Sequence, residues 1–158
     1  MRHVVGVADF KVARKPGDII VTHALGSCLG IAAHDPVASV GGLFHVMLPA
    51  GSVNPEKAKA NPYMFVDVGL PMFFRELYAA GAEKGNLVVK VAGGAQIRDN
   101  NDFFAIGKRN YVVARKLFWK NGIMIAGEDV GGNIARTMYL DIGSGRVWLA
   151  SRGEEKDL

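Results

Sequence analysis

The stretch THALGSCLGIAAHDP, residues 22–36, holds the single cysteine of a 158-residue chain. A thiolate is the nucleophilic form of cysteine, and an imidazole beside it both takes the thiol proton and delivers it to a leaving group. What matters first is whether a histidine can reach Cys28. The segments CLGIAAH and SVGGLFHVML are joined by DPVA, a four-residue, Pro-containing connection of the kind that closes an antiparallel hairpin. A loop over residues 35–38 sets His34 opposite Ser39 and Cys28 opposite His45. Directly opposed side chains share one sheet face, with Cβ atoms ~4.5–5.5 Å apart. A loop one residue longer or shorter, or a bulge at Gly41 and Gly42, turns His45 to the other face.

Thr22 lies six residues before Cys28, at the end of the preceding strand, and HALGS between them reads as a tight turn. Its hydroxyl can hold the imidazole in one tautomer, the part a carboxylate or amide plays in other triads. Backbone amides of this turn, around Gly26, Ser27 and Cys28, are candidate donors to an oxyanion. Gly93 and Gly94 in VAGGAQ, with the similar loop EDVGGN, are candidates for close approach to a substrate backbone, or simply turns. Ser27 is a competing nucleophile, but it alternates to the face away from His45. His23 has the same fault relative to Thr22, and His34 lies ~20 Å along the strand from Cys28. The same residues also have a reading without chemistry: a lone cysteine fills cores, a strand histidine satisfies hydrogen bonds, and threonine favours strands. Spacing alone leaves both readings open.

The elements that must place these residues are mostly strands. HVVGVADF, DIIVT, CLGIAAHD and VGGLFHVML are apolar or alternating runs bounded by Gly, Pro or Asp. The period then changes: NPYMFVDVGLPMFFRELYAAG reads as a helix capped by Asn61 with Pro62 in its first turn, ended by Gly81, and kinked or split at Pro71. NLVVKVA reads as a buried strand, GGAQIRDNNDFFA as a loop and IGKRNYVVARKLFWKNG as a second helix. GIMIAGEDV, ARTMYLDI and RVWLAS are further strands, the last pair closed by GSG. Strands in runs around two helices predict an α+β fold, a single-domain sandwich with mostly antiparallel sheet. The domain is expected over residues 1–150, with 151–158 a charged tail that frays.

Composition narrows the function. With 49% apolar and 22% charged residues, the chain supports one hydrophobic core. The opening residues MRHVVGVADF lack an export signal, and no apolar run approaches the ~20 residues of a spanning helix, so a cytoplasmic protein without membrane insertion is expected. One cysteine and four scattered histidines give no zinc-ligand spacing, and no metal or other cofactor is called for. The net charge of +4 is spread along the chain. Its densest part, KRNYVVARKLFWK, reads as the solvated face of an amphipathic helix, so nucleic acid is not an expected partner.

Taken together, VGVADFKV, PGDIIVTHALGSC, GGLFHVMLP, VAGGA, IGKRN and EDVGG resemble, in order and spacing, the CheD family, chemoreceptor glutamine deamidases of bacterial and archaeal chemotaxis. The resemblance spans about residues 5–149, and its most specific part is Thr-x5-Cys with a histidine seventeen residues after the cysteine. It implies a Cys28, His45 and Thr22 site on a sandwich similar to deamidating toxin domains. It also implies that the substrates are glutamines of methyl-accepting chemotaxis receptors, in some members glutamyl methyl esters, with a CheC-type phosphatase as a possible partner. The chain departs from the family pattern at His23 and Ala24, where leucine and glycine are usual, at Gln96 in place of methionine, and at Ala135 in place of glycine. Two other classes stay open on sequence alone: a non-catalytic module that docks CheC or receptors, and a cysteine peptidase or acyltransferase.

Overall fold

The computed structural model describes residues 1–97 and 105–158. In chain order these form β1 (Arg2–Val5), β2 (Asp9–Ala13), β3 (Ile19–Leu25), β4 (Leu29–Asp35), β5 (Val40–Val46), α1 (Pro55–Ala60) and α2 (Val66–Ala79). There follow β6 (Val88–Gly93), α3 (Ile106–Lys120), β7 (Ile125–Val130), β8 (Arg136–Asp141), β9 (Val147–Ser151) and β10 (Glu154–Asp157). The strands make an outer sheet, β1-β3-β8-β9-β10, and a middle sheet, β2-β5-β4-β6-β7. Pairing is antiparallel except between β1 and β3 and between β6 and β7. The α+β sandwich expected from sequence, with α2 and α3 as its two main helices, is the fold observed.

Side-chain alternation on the middle sheet sorts the core into two layers. Ala32, Leu43 and Ala92 face the outer sheet and meet Ile20, Leu25, Met138 and Leu140. Ile31, Phe44 and Val46 point the other way, against Leu70, Phe73 and Leu77 of α2 and Ala114 and Phe118 of α3. β4 and β5 are therefore buried at every position, which is why both read as apolar runs rather than as alternating strands.

The first hairpin differs from expectation in one informative respect. Asp35 closes β4 instead of opening the loop, because its Oδ1 accepts from the amides of Val37 (2.8 Å) and Ala38 (3.0 Å). Its Oδ2 accepts from Glu83 N at 2.8 Å and ties the turn to the chain beyond α2. The loop is still four residues, now 36–39, and β4 and β5 pair with Gly30, not Cys28, opposite His45. Moving the loop by one residue shifts the register by two, so every side chain keeps its predicted face.

Other expectations are corrected by packing. HVVGVADF is not one strand: it breaks after Val5, and β1 joins the outer sheet while β2 joins the middle one. Asn61 caps a short 3-10 turn, accepting from Tyr63 N at 3.2 Å, and α2 begins later, at Val66. Pro71 does not split α2, which runs unbroken past it. Its missing amide forfeits one bond, to the Asp67 carbonyl, but burial of Leu70, Phe73, Phe74 and Leu77 holds the helix on the sheet. The tail read as frayed is instead β10, paired with β9 and pinned by Arg146 to Asp157 at 2.7 Å. Its charged side chains suit a sheet edge. Of the loop read at 93–105, residues 98–104 lie outside the described residues.

Phe73 joins the helical layer to the middle sheet through ring contacts with Phe10, Phe44 and Phe74. Phe73→Ala is expected to destabilise the fold by ~3–5 kcal/mol in equilibrium urea unfolding. A loss below about 1 kcal/mol is incompatible with this packing.

Candidate active site

Thr22 and His45 come from different sheets and meet between them. β3 carries Thr22 in the outer sheet, β5 carries His45 in the middle one, and both side chains are buried. Thr22 was expected to approach His45 from the side, at the end of a neighbouring strand. It arrives from the facing sheet instead.

The hydrogen bonds of Thr22 fix the state of the ring. Its Oγ1 lies 2.8 Å from the Val5 carbonyl oxygen and 2.7 Å from His45 Nδ1. A carbonyl can only accept, so the single hydroxyl proton goes to Val5, and the hydroxyl oxygen must accept from Nδ1–H. This assigns the Nδ1–H tautomer from the network and leaves Nε2 with its lone pair. Nε2 is buried and has no hydrogen-bond partner among the described residues. Gly30, the cross-strand neighbour of His45, leaves no room for a side chain, since a Cβ there would strike Met138 Sδ and Leu25 Cδ1.

Cys28 sits in the bend just before β4, half-buried, with its side chain against the apolar layer between the sheets. It shares the face of Gly30, so it is a diagonal neighbour of His45, one pair further along than predicted. Sulfur and Nε2 are not hydrogen-bonded at rest. Burial pushes the Cys28 thiol above its ordinary pKa, partly opposed by the residue's own amide, and burial lowers His45 to about 4. The resting pair is thus a neutral thiol and a neutral imidazole, not a thiolate and an imidazolium.

The loop after β6 clamps the cysteine bend. Gly94 N donates to Cys28 O and Ala95 N to Gly26 O, each at 2.8 Å. Gly93 has φ +104°, and a Cβ there would run into the Cys28 carbonyl oxygen. Gly93 and Gly94 therefore support the bend, and the Gly94 amide is already engaged. The Ser27 amide makes no main-chain hydrogen bond among the described residues, while the Cys28 amide lies against its own sulfur. Ile97, half-exposed, covers Gly26. His23 is exposed, while His34 is buried and donates from Nε2 to Ile142 O at 2.7 Å, a structural bond between the sheets. Ala24 adopts φ +59°, a conformation that costs a non-glycine residue ~1–2 kcal/mol.

Two residues near the site were not singled out in the sequence. Arg136 donates to Gly93 O (3.3 Å), Gly131 O (2.9 Å) and Asp129 Oδ1 (3.1 Å), and so braces both glycine loops. Asn110, on α3, donates from Nδ2 to Ser27 O (3.0 Å) and Met47 O (2.8 Å). The one sequence signal for Asn110 is a polar residue in the helical row Gly107, Asn110, Ala114, Phe118 that α3 buries. Nothing local marks Arg136, since its partners, main-chain oxygens and the Asp129 carboxylate, are brought to it by the fold.

The low pKa of His45 makes stability depend on pH. The unfolded chain protonates this residue near pH 6.5 and the folded chain only near 4, so between them the unfolded state holds more protons. Stability is full above about 6.5 and falls as pH drops towards 4, by about 3 kcal/mol in total. His45→Gln lacks this titration. The difference in unfolding free energy between wild type and His45→Gln is expected to narrow by that amount from pH 7 to pH 4, and a constant difference contradicts the buried, neutral ring.

Comparison with known proteins places the chain. The sequence profile described as "CheD chemotactic sensory transduction" matches residues 47–151. A protein of Syntrophus aciditrophicus named "Probable chemoreceptor glutamine deamidase CheD 1" is 50% identical over 150 residues, 95% of this chain and 94% of its own. Relatives with the name "Probable chemoreceptor glutamine deamidase CheD" include one from Solibacter usitatus, 46% identical over 98% of this chain and 92% of its own. Another, from Pyrococcus horikoshii, is 40% identical over 96% of this chain and 93% of its own. Identity at this level along nearly the whole length, together with the profile match, shows that the chain belongs to the CheD family.

Proposed function

We propose that the chain is a protein-glutamine deamidase of chemotaxis, converting selected glutamine side chains of methyl-accepting receptors to glutamate with Cys28 as nucleophile. The observation that carries this reading is the buried chain of bonds from the Val5 carbonyl through Thr22 to His45, which leaves Nε2 as an unpartnered base on the face shared with Cys28. A buried polar atom left without a partner calls for an explanation, and a base awaiting a substrate's proton supplies one. The names of the relatives agree with the reaction.

The chemistry proceeds in two halves. As Cys28 Sγ attacks the carboxamide carbon, its proton passes to His45 Nε2, and the ring becomes cationic only while the substrate oxygen becomes anionic. The amides of Ser27 and Cys28 stabilise that oxygen. His45 then gives the proton to the nitrogen, the C–N bond breaks, ammonia leaves and a γ-glutamyl thioester remains. Water, losing a proton to Nε2, attacks the thioester. Collapse releases glutamate and returns the proton to sulfur. A glutamyl methyl ester enters the same route with methanol as the leaving group. The atoms balance with water alone.

Thr22 positions the ring and stabilises the transient imidazolium through the Nδ1–H bond. Receptor helices that carry modifiable glutamines lie in the cytoplasm, and the chain acts there. Among its described residues no helix is long and apolar enough to cross a membrane. A CheC-type phosphatase is the further partner that the family implies, covering the same cleft. The raised thiol pKa favours one other reading, a docking module in which Cys28 only packs. A receptor assay separates the two.

With purified receptor, wild type is expected to convert Gln to Glu with no cleavage, each site read by peptide mapping. Cys28→Ala should abolish conversion, and His45→Ala should lower it by roughly 10²–10⁴-fold, the usual weight of a general base. Thr22→Val keeps the shape, loses the hydroxyl and should cost about tenfold or more. Undiminished conversion by Cys28→Ala rules out the thioester route, and a cleaved receptor points to a peptidase.

A further inference from the structure

The chemistry above leaves one buried polar side chain unused. Asn110 has no exposed surface, and its Nδ2 spends both protons on main-chain carbonyls, those of Ser27 and Met47. Ser27 immediately precedes Cys28, and Met47 follows His45 by two residues. The amide orientation is set by these partners, because turning it over would aim Oδ1 at two carbonyl oxygens.

The place of this bridge matters. The ladder between β4 and β5 ends at the pair Leu29 and Val46. Beyond it the two chains are held separately: Cys28 O by Gly94 N, and Met47 and Leu48 by Met64 O. Among the described residues, the Asn110 amide is the hydrogen-bonded link between the cysteine bend and the segment that continues from His45. Its Oδ1 is buried with no partner among the described residues. The unpaired buried oxygen lowers stability, whereas the two bonds from Nδ2 satisfy carbonyls that a leucine would leave without this donor. What the amide offers that leucine lacks is a fixed separation of two main-chain segments.

We propose that Asn110 is a positioning residue that sets the spacing of Cys28 and His45 by clamping the main chain beside each with one amide nitrogen. The inference rests on the thiol-dependent deamidase reading above. Asn110 touches no substrate; it acts through the pair. Loosening the clamp misplaces sulfur relative to Nε2, and displacements of this order cost large factors in rate. It also admits water to His45, which moves the ring towards ordinary imidazole behaviour.

The test uses the full chain with purified receptor and compares wild type, Asn110→Leu, Asn110→Ser and Cys28→Ala. Asn110→Leu is expected to lose ~10–100-fold in kcat with KM within about twofold, and the acid limb of its kcat profile should move to higher pH. Asn110→Ser, able to donate to one carbonyl, should fall between. The proposal is overturned if a folded Asn110→Leu keeps wild-type kcat and the wild-type acid limb while Cys28→Ala is inactive. It is also overturned if both Asn110 variants lose their cooperative melting transition, since the residue is then a structural support. An active Cys28→Ala is a different result: it removes the thiol mechanism itself, and the positioning role with it.

Discussion

One hydrogen-bonded relay, from the Val5 carbonyl to the Thr22 hydroxyl to His45 Nδ1, decides what the interior of this protein can do. It crosses the gap between two sheets, and it is directional because its first member cannot donate. β1 must lie beside β3 in parallel register for Val5 to meet Thr22, and β3 must face β5 for Thr22 to meet the imidazole. The sandwich architecture is thus a condition for the tautomer. Small residues at the sheet interface, Gly30 and Ala32 among them, keep the layers close enough for so short a bond.

Burial gives the site its electrostatic character. Desolvation opposes charge on both Cys28 and His45, so neither is ionised at neutral pH. An ion pair waiting in the apolar layer would be costly, and an exposed thiolate would react with any electrophile. In the mechanism proposed above, keeping both groups neutral moves the charge separation to the moment when a substrate carbonyl can share it.

Much of this was legible in the sequence, for local reasons. Hydrophobic alternation and turn residues locate the strands, and the helical period locates α3 to within a residue or two. The shared face of Cys28 and His45 was legible because it depends only on parity, which survived a register shift of two. The register itself was not, since it turns on Asp35 choosing to cap the loop from inside the strand. Pro71 within α2 and the ordered β10 were misread for a common cause: tertiary packing and ladder bonds outweigh a local breaker or a run of charge. Asn110 and Arg136 stayed hidden because most of their partners are carbonyl oxygens, which every residue has and no sequence motif marks.

The order of strands in the outer sheet has a consequence for synthesis. Thr22, Cys28 and His45 all lie in the first third of the chain, yet β3 finds its second neighbour only in β8, which starts at Arg136. A nascent polypeptide emerging from the ribosome has β4 and β5 to pair early, yet Thr22 on β3 lacks its β8 neighbour until most of the chain is made. The sheet that holds Thr22 against His45 is completed last, when the carboxy-terminal strands close it.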